Sequence, residues 1–275
     1  MINKAVITTA GLGTRLLPTT KELPKEMMPI FARQGKGLVT KPLLQMIFEQ
    51  LYDVGIREFY FVVGRGKRAI EDHFTKDQMF IDELSKKGKD AGIMEDFYSK
   101  LSGTRLIFLN QEEPRGFGDA VLKAGGLLRE DFFVAAGDTY IMTDGHTHLQ
   151  GMLEAHPGNA ATLMLKRVQD PSQYGVAILD GSYVKRVVEK PKERISDMAI
   201  MPFYAFSPEV FDHLAGLKPG VGGEVQLTDA IQSMIDSGRK VNAITVNKGL
   251  WLDIGNPQSY ARALIQSYRR AGGRL

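Results

Sequence analysis

The chain of 275 residues contains no cysteine and a single tryptophan. Without cysteine there can be no disulfide, no thiolate-ligated zinc and no iron–sulfur cluster, and the composition fits a reducing compartment. No apolar run approaches the ~18 residues that a membrane-spanning helix needs. An excess of one charge sign is also missing: 35 Lys and Arg stand against 32 Asp and Glu, a formal charge of +3. A protein living on nucleic acid or an anionic membrane usually carries a denser basic stripe, so neither is expected as a partner. Ser/Gly linkers, low-complexity tracts and internal repeats are absent too, and without hexapeptide repeats no β-helix domain is expected. The opening Met1 to Ala10 lacks the long apolar core of a signal peptide, which makes a cytoplasmic location the expectation. What remains is an ordinary globular composition, 43% hydrophobic and 24% charged.

Short apolar runs alternate with segments of helical periodicity. Ala5–Ile7, Phe59–Val63, Leu106–Leu109 and Phe132–Ala136 read as buried strands; Leu43–Tyr52, Lys67–Phe74 and Gly118–Leu128 read as helices. The strongly charged stretch 77–100 reads as helical and peripheral. Such alternation predicts an α/β protein, Rossmann-like, with a mixed but mostly parallel sheet flanked by helices. Beyond about residue 160 short strands dominate: Ala161–Val168, Tyr174–Leu179, Tyr183–Val188, Met198–Phe206 and Val241–Val246. Helices are expected around 208–214 and 225–237, and a last one over Pro257–Arg269, amphipathic and a candidate dimer surface; a homo-oligomer, dimer or tetramer, is expected. With no linker between them, the regions 1–160 and 161–275 are expected to share one sheet and form one domain.

In an open parallel sheet, ligands gather beyond the carboxyl ends of the strands. The first strand empties into Ala10-Gly-Leu-Gly-Thr-Arg15, and the strand at Phe132 into Gly137-Asp138-Thr139. A glycine turn lets backbone N–H groups approach phosphate oxygens with no Cβ in the way. Leu16 stands where a dinucleotide fingerprint needs its third glycine, and Gly64-Arg-Gly-Lys67 has neither the spacing nor the hydroxyl of a P-loop. Gly11-x-Gly13 followed by Arg15 and Lys25 instead suits a polyphosphate, Arg15 as a planar fork and Lys25 as a point charge.

Gly11-Leu-Gly-Thr-Arg-Leu-Leu-Pro18, continuing to Lys25-Glu-Met-Met-Pro29, resembles the signature of the sugar-1-phosphate nucleotidylyltransferases, and within them the bacterial and archaeal uridylyltransferases. Arg65–Phe74, Gln111-x-x-Pro-x-Gly116-Phe-Gly118, Val188-Glu-Lys-Pro191, Gly223–Ile231 and Asp253-Ile-Gly-Asn256 match in order, so the resemblance spans nearly the whole chain. It implies transfer of the uridylyl group of UTP to glucose 1-phosphate, giving UDP-glucose and pyrophosphate with Mg²⁺ as cofactor. A thymidylyltransferase or other sugar-1-phosphate nucleotidylyltransferase, and a non-catalytic nucleotide-sensing relative, are the alternatives.

Carried over position by position, the resemblance puts Ala10, Gly11 and Glu26 at the base and ribose, and Gly13, Arg15 and Lys25 at the triphosphate. Gln111 and the backbone of Gly116 fall at the pyrimidine edge, where an amide offers both donor and acceptor. Gly175, Glu189 and Lys190 fall at the sugar phosphate, and Asp138 and Asp253 at the metal. Three positions depart from the pattern: Asp119 stands where a His is common, Met201-Pro-Phe-Tyr204 replaces a Gly-Arg-Tyr stretch, and Gly137-Asp138 replaces a Pro-Asp or Asp-Asp pair. Outside the resemblance, His146-x-His148 has no third metal ligand and reads as a pair of exposed loop histidines. Trp251 is expected to pack behind Asp253, with sugar stacking as the alternative.

Overall fold

The computed structural model describes residues 2–35 and 37–274. In chain order the elements are β1 (Lys4–Thr8), β2 (Pro29–Gln34), β3 (Gly37–Pro42), α1 (Leu43–Asp53), β4 (Glu58–Gly64), α2 (Arg68–His73), α3 (Gln78–Lys86), α4 (Gly92–Ser102), β5 (Arg105–Gln111), α5 (Phe117–Leu122) and β6 (Phe132–Ala136). There follow β7 (Thr139–Met142), α6 (Thr147–Ala155), β8 (Ala161–Arg167), β9 (Gly175–Asp180), β10 (Tyr183–Glu189), β11 (Met198–Phe206), α7 (Val210–Ala215), α8 (Leu227–Asp236), β12 (Val241–Thr245), β13 (Leu250–Asp253) and α9 (Pro257–Arg270).

Nine strands form one sheet in the order β5-β4-β1-β6-β11-β8-β12-β10-β9. The first four run parallel, while β11 and β10 run against their neighbours, so both regions of the chain share the sheet as expected. The parallel strands are apolar on both sides because both sides are covered. Phe59, Phe61 and Phe133 enter one core with α1, and Tyr60, Val62 and Val134 enter the other with α5 and α8.

The charged stretch 77–100 is helical but breaks into α3 and α4 around Gly88, and its second half is not peripheral. Phe97 of α4 is fully buried, with its ring 6.0 Å from Phe48 and 5.5 Å from Phe74. Leu101 is buried beside it and Met94 and Tyr98 pack against the same core, so α4 docks through an apolar stripe in which truncation of the Phe97 ring alone would cost roughly 3–5 kcal/mol. The predicted helix after Gly118 is shorter than expected, α5 ending at Leu122.

Two small ribbons complete the architecture, β2 with β3 and β7 with β13. The second matters most for the site. Asp253 of β13 lies opposite Thr139 of β7, so the residue beside Asp138 is the cross-strand partner of Asp253. Among the described residues no helix is long and apolar enough to cross a membrane.

Candidate active site

The carboxyl ends of β1, β5 and β6 open into a cleft of about 1040 Å³, whose opposite wall comes from β9, β10, β11 and the start of α8. Every residue that the resemblance places at nucleotide, sugar phosphate or metal lines it: the turn of Ala10, Gly11, Gly13 and Arg15; Lys25 and Glu26; Gln111 and Gly116; Asp138 and Asp253; Gly175, Glu189 and Lys190.

On the β1 side, the turn is built by close approach. Gly13 sits at φ 66°, its carbonyl accepting from Thr20 Oγ1 at 2.8 Å. At Gly64 a Cβ would fall 2.8 Å from the Ala10 carbonyl oxygen, so the end of β4 must be glycine for the turn to pass. Gly64-Arg-Gly-Lys67 therefore serves the cleft from behind rather than gripping phosphate. Its Lys67 donates to Glu26 Oε2 at 2.7 Å, and with Glu26 only 1% exposed this is a buried ion pair. Glu26 lines the cleft with that oxygen already engaged. Arg15, exposed on the lip, has no ion-pair partner among the described residues.

Two aspartates from distant parts of the chain meet through the β7–β13 ribbon. The Ile254 amide donates to the Asp138 carbonyl at 3.3 Å, holding the ribbon's end closed. Asp138 is half-buried at the cleft wall; burial alone would push its carboxyl up, but the ammonium of Lys25 and the hydroxyl of Thr139 outweigh that and hold it below the usual carboxylate range. Asp253 is pushed up, first by burial and next by the negative charge of Asp138. Lys25 is raised: burial pulls it down, and Asp138, Glu26 and Asp253 together more than reverse this. Gly137, where the family pattern has a bulkier residue, lies where a Cβ would be 2.7 Å from Thr9 Cγ2 and 3.2 Å from Glu26 Cγ.

The motif Asp253-Ile-Gly-Asn256 has a physical reading. Gly255 N–H donates to Asp253 Oδ1 at 3.0 Å, and its Cβ, were there one, would crowd that oxygen at 3.1 Å. Asn256 then caps α9: its side chain accepts from Ser259 N at 2.9 Å while Ser259 Oγ accepts from Asn256 N at 3.1 Å. The cap fixes where the helix starts and hence where Asp253 points.

On the far wall, Glu189 Oε2 accepts from Thr228 Oγ1 at 2.7 Å, and Glu189 Oε1 lies 3.5 Å from Lys190 Nζ. Gly175 faces this pair; a Cβ there would be 2.9 Å from Glu189 Oε2 and 3.0 Å from Thr228 Oγ1. Lys190 adopts φ 40°, a costly conformation for a side-chain-bearing residue, and its backbone N–H donates to the Tyr174 carbonyl at 3.1 Å. Pro202 and Tyr204, from the departing Met201–Tyr204 stretch, line the cleft at an irregularity in the β11–β8 pairing.

Some expectations change. His148 is not an exposed loop residue: it is 3% exposed in α6, with Nδ1 2.7 Å from Thr143 Oγ1, because the helix starts at Thr147 and turns the ring toward Phe203. His146 lies against Asp53 instead, at 3.3 Å. Trp251 lines the cleft with its ring 5.0 Å from that of Tyr174, so it walls the site rather than only backing Asp253. Thr228, Lys67 and Arg262 were not singled out as site residues. Thr228 and Lys67 lie inside matched segments; Arg262, on the first half of α9, has no local signal that places it at the cleft.

A divalent ion fits this donor set. Two carboxylates converge, their mutual repulsion is visible in Asp253, and a lysine ammonium occupies the space against Asp138. Among the described residues no group of three or more His, Asp or Glu forms a closed cage. Few oxygen ligands from the protein, with water and phosphate completing the shell, is the arrangement a small hard cation such as Mg²⁺ accepts.

The chain is 39% identical over 279 residues to a UTP–glucose-1-phosphate uridylyltransferase of Streptococcus pyogenes, covering 96% of this chain and 88% of that protein. A solved UDP-glucose pyrophosphorylase in complex with UDP-glucose has the same fold, with a TM-score of 0.82 at 27% identity, covering 98% of this chain and 100% of that one. A UTP-bound UGPase from Acinetobacter baumannii gives 0.77 at 26% identity, covering 97% and 93%. The model of the nucleotidyl transferase family matches residues 4–268, and the chain belongs to that family.

Proposed function

We propose that the cleft transfers the uridylyl group of UTP to glucose 1-phosphate, yielding UDP-glucose and pyrophosphate. One observation carries the proposal: a glycine turn, the side-chain cations Arg15, Lys25, Lys190 and Arg262, and two aspartates brought together by a single ribbon line the same cleft. The relatives named above for this reaction and for UTP and UDP-glucose support it.

A phosphate monoester has its second pKa near ~6, so glucose 1-phosphate reaches the cleft mostly as the dianion. No general base is needed to make the nucleophile. The barrier lies in bringing two polyanions into line and in stabilising the departing pyrophosphate. Arg15 and Lys25, on the turn side, face the triphosphate; Lys190, on the far wall, pairs with the sugar phosphate. Glu189, held by Thr228, accepts from ring hydroxyls, and Gly175 leaves room for the hexose. Ala10, Gly11 and Glu26 line the base and ribose, with Gln111 and the backbone of Gly116 at the base edge. On this reading elements from 1–160 hold the nucleotide and elements from 161–275 the sugar phosphate.

Asp138 and Asp253 would hold Mg²⁺, which when bound supplies positive charge and Lewis acidity at the reacting phosphates. The protein's own part is to fix two carboxylates at one point and to keep cations on either side. The reading includes a cytoplasmic location and a homo-oligomeric assembly.

Pyrophosphate release from a panel of UTP, dTTP, CTP and ATP against several sugar 1-phosphates tests the assignment. UTP with glucose 1-phosphate is expected to lead; a tenfold preference for dTTP would overturn the nucleotide, and no release with any pair would overturn the reaction.

A further inference from the structure

Gln111 ends β5 with its amide nitrogen fully used by the protein. Nε2 donates to the Gly116 carbonyl at 3.2 Å and to Asp119 Oδ2 at 2.7 Å. An amide nitrogen has two hydrogens and accepts nothing, so no donor remains for a ligand. Asp119 on α5 is 4% exposed, and its charge is matched by Arg115, which donates to Oδ1 at 3.0 Å, and by Lys123 Nζ at 4.0 Å from Oδ2. A carboxylate paired in this way only accepts. Turning the amide over would set Gln111 Oε1 against a carboxylate oxygen and a carbonyl oxygen, lone pair against lone pair.

The surrounding frame is stiff. Gly118 N–H donates to the Val225 carbonyl at 2.9 Å and Val225 N–H to the Arg115 carbonyl at 2.7 Å. At Gly116 a Cβ would fall 2.7 Å from the Val225 oxygen, so the segment bearing Asp119 lies tight against the chain leading into α8.

The geometry points to Asp119 as a positioning residue for nucleobase choice: by holding the Gln111 amide nitrogen it makes Gln111 Oε1 a dedicated acceptor for a ring N–H. This deepens, and rests on, the uridylyl-transfer reading. The amide does not offer the donor–acceptor pair expected from its residue type; it offers the acceptor alone. Uracil presents N3–H to such an oxygen, whereas cytosine presents a lone pair at N3. Thymine carries the same N3–H, so this pair of residues separates UTP from CTP and leaves the choice between UTP and dTTP to other groups.

The test is calorimetric binding of UTP and CTP to the full chain with Mg²⁺ and no sugar phosphate, alongside pyrophosphate-release kinetics. Wild type should bind UTP at least tenfold more tightly than CTP, about the worth of one hydrogen bond made or opposed. Asp119→Asn is isosteric, but its amide group facing Gln111 favours the turned-over orientation. It should reduce the UTP-to-CTP ratio about tenfold, raise KM for UTP, and leave KM for glucose 1-phosphate unchanged. Asp119→Ser, too short to reach both partners, should reduce the ratio likewise and serves if the first variant does not fold. An unchanged ratio in a folded variant, or no preference for UTP in the wild type, overturns the role. If wild type prefers UTP but releases no pyrophosphate, the reaction assignment fails while the binding ratio still decides the role of Asp119.

Discussion

Lys25 Nζ rests against Asp138 Oδ2, so the chain's own ammonium neutralises one of the two carboxylates assigned to the metal. On that assignment a divalent ion would have to compete with the lysine for Asp138 until a polyphosphate offered the lysine another partner. Lys25→Met should therefore bind Mn²⁺ several-fold more tightly in the nucleotide-free protein, read by electron paramagnetic resonance, while turnover falls roughly 100-fold or more through loss of a fixed charge at the leaving group. Weaker Mn²⁺ binding in the variant would contradict this competition.

Asp253 is raised above the ordinary carboxylate range, first by burial and then by Asp138. An acid raised on folding contributes its stability below its unfolded pKa and loses it as pH rises through the folded value, so at neutral pH the metal-free protein carries a penalty there. Asp253→Asn should raise the melting temperature of the metal-free protein at pH 7 by a few degrees and depress kcat at saturating Mg²⁺. Calorimetry at pH 3.5 should show the advantage shrinking, because wild-type Asp253 is then protonated too.

The hydroxyl of Thr228 sets the direction of Glu189 at 2.7 Å. Thr228→Val keeps the shape and removes the donor; KM for glucose 1-phosphate should rise about tenfold with a smaller change in kcat, in line with the loss of one hydrogen bond to a charged group. Thr228→Ser should restore it. A change confined to UTP kinetics would contradict the assignment of this wall to the sugar.

Histidines withdrawn from water make the fold sensitive to mild acid: His148 and His156 are buried and His73 is half-buried. Burial lowers both His73, stacked on Phe97, and His148, beneath Thr143, from 6.5 to about 4. A base lowered on folding gives full stability above 6.5 and loses it as pH falls toward 4, by up to about 3 kcal/mol each. Urea midpoints at pH 7.5 and 5 should therefore fall steeply in wild type and less steeply in His148→Gln, even though the variant starts lower.

The strands β1, β4 and β6 were legible because burial on both faces makes each a continuous apolar run, and the turn after β1 because glycines and cations are compressed into a few positions. The ribbon of β7 and β13 was not legible. Each strand has four residues, and Thr139 meets Asp253 only after the chain has crossed the sheet, so no local pattern announces the pairing. The β2–β3 hairpin was not legible either: β2 buries only Ile30 and Ala32 and half of β3 is exposed, so neither strand shows a strong apolar alternation. Phe97 belongs to a helical stripe with Met94, Tyr98 and Leu101, which the dense charges of 77–100 obscure, whereas the burial of His148 carries no periodic signal and is decided by tertiary packing alone. Gln111 was placed from sequence, but the consumption of its donors depends on Asp119, a partner eight residues on, across the strand–helix turn.

The central claim is that an oxygen of the sugar phosphate itself attacks the α-phosphorus of UTP. Glucose 1-phosphate carrying ¹⁸O in its non-bridging phosphate oxygens, incubated with UTP, Mg²⁺ and the protein, reports this by isotope-shifted ³¹P resonances. The account predicts ¹⁸O in the bridge between the two phosphorus atoms of UDP-glucose and none in pyrophosphate. Label in pyrophosphate, or a bridge without label, would contradict it.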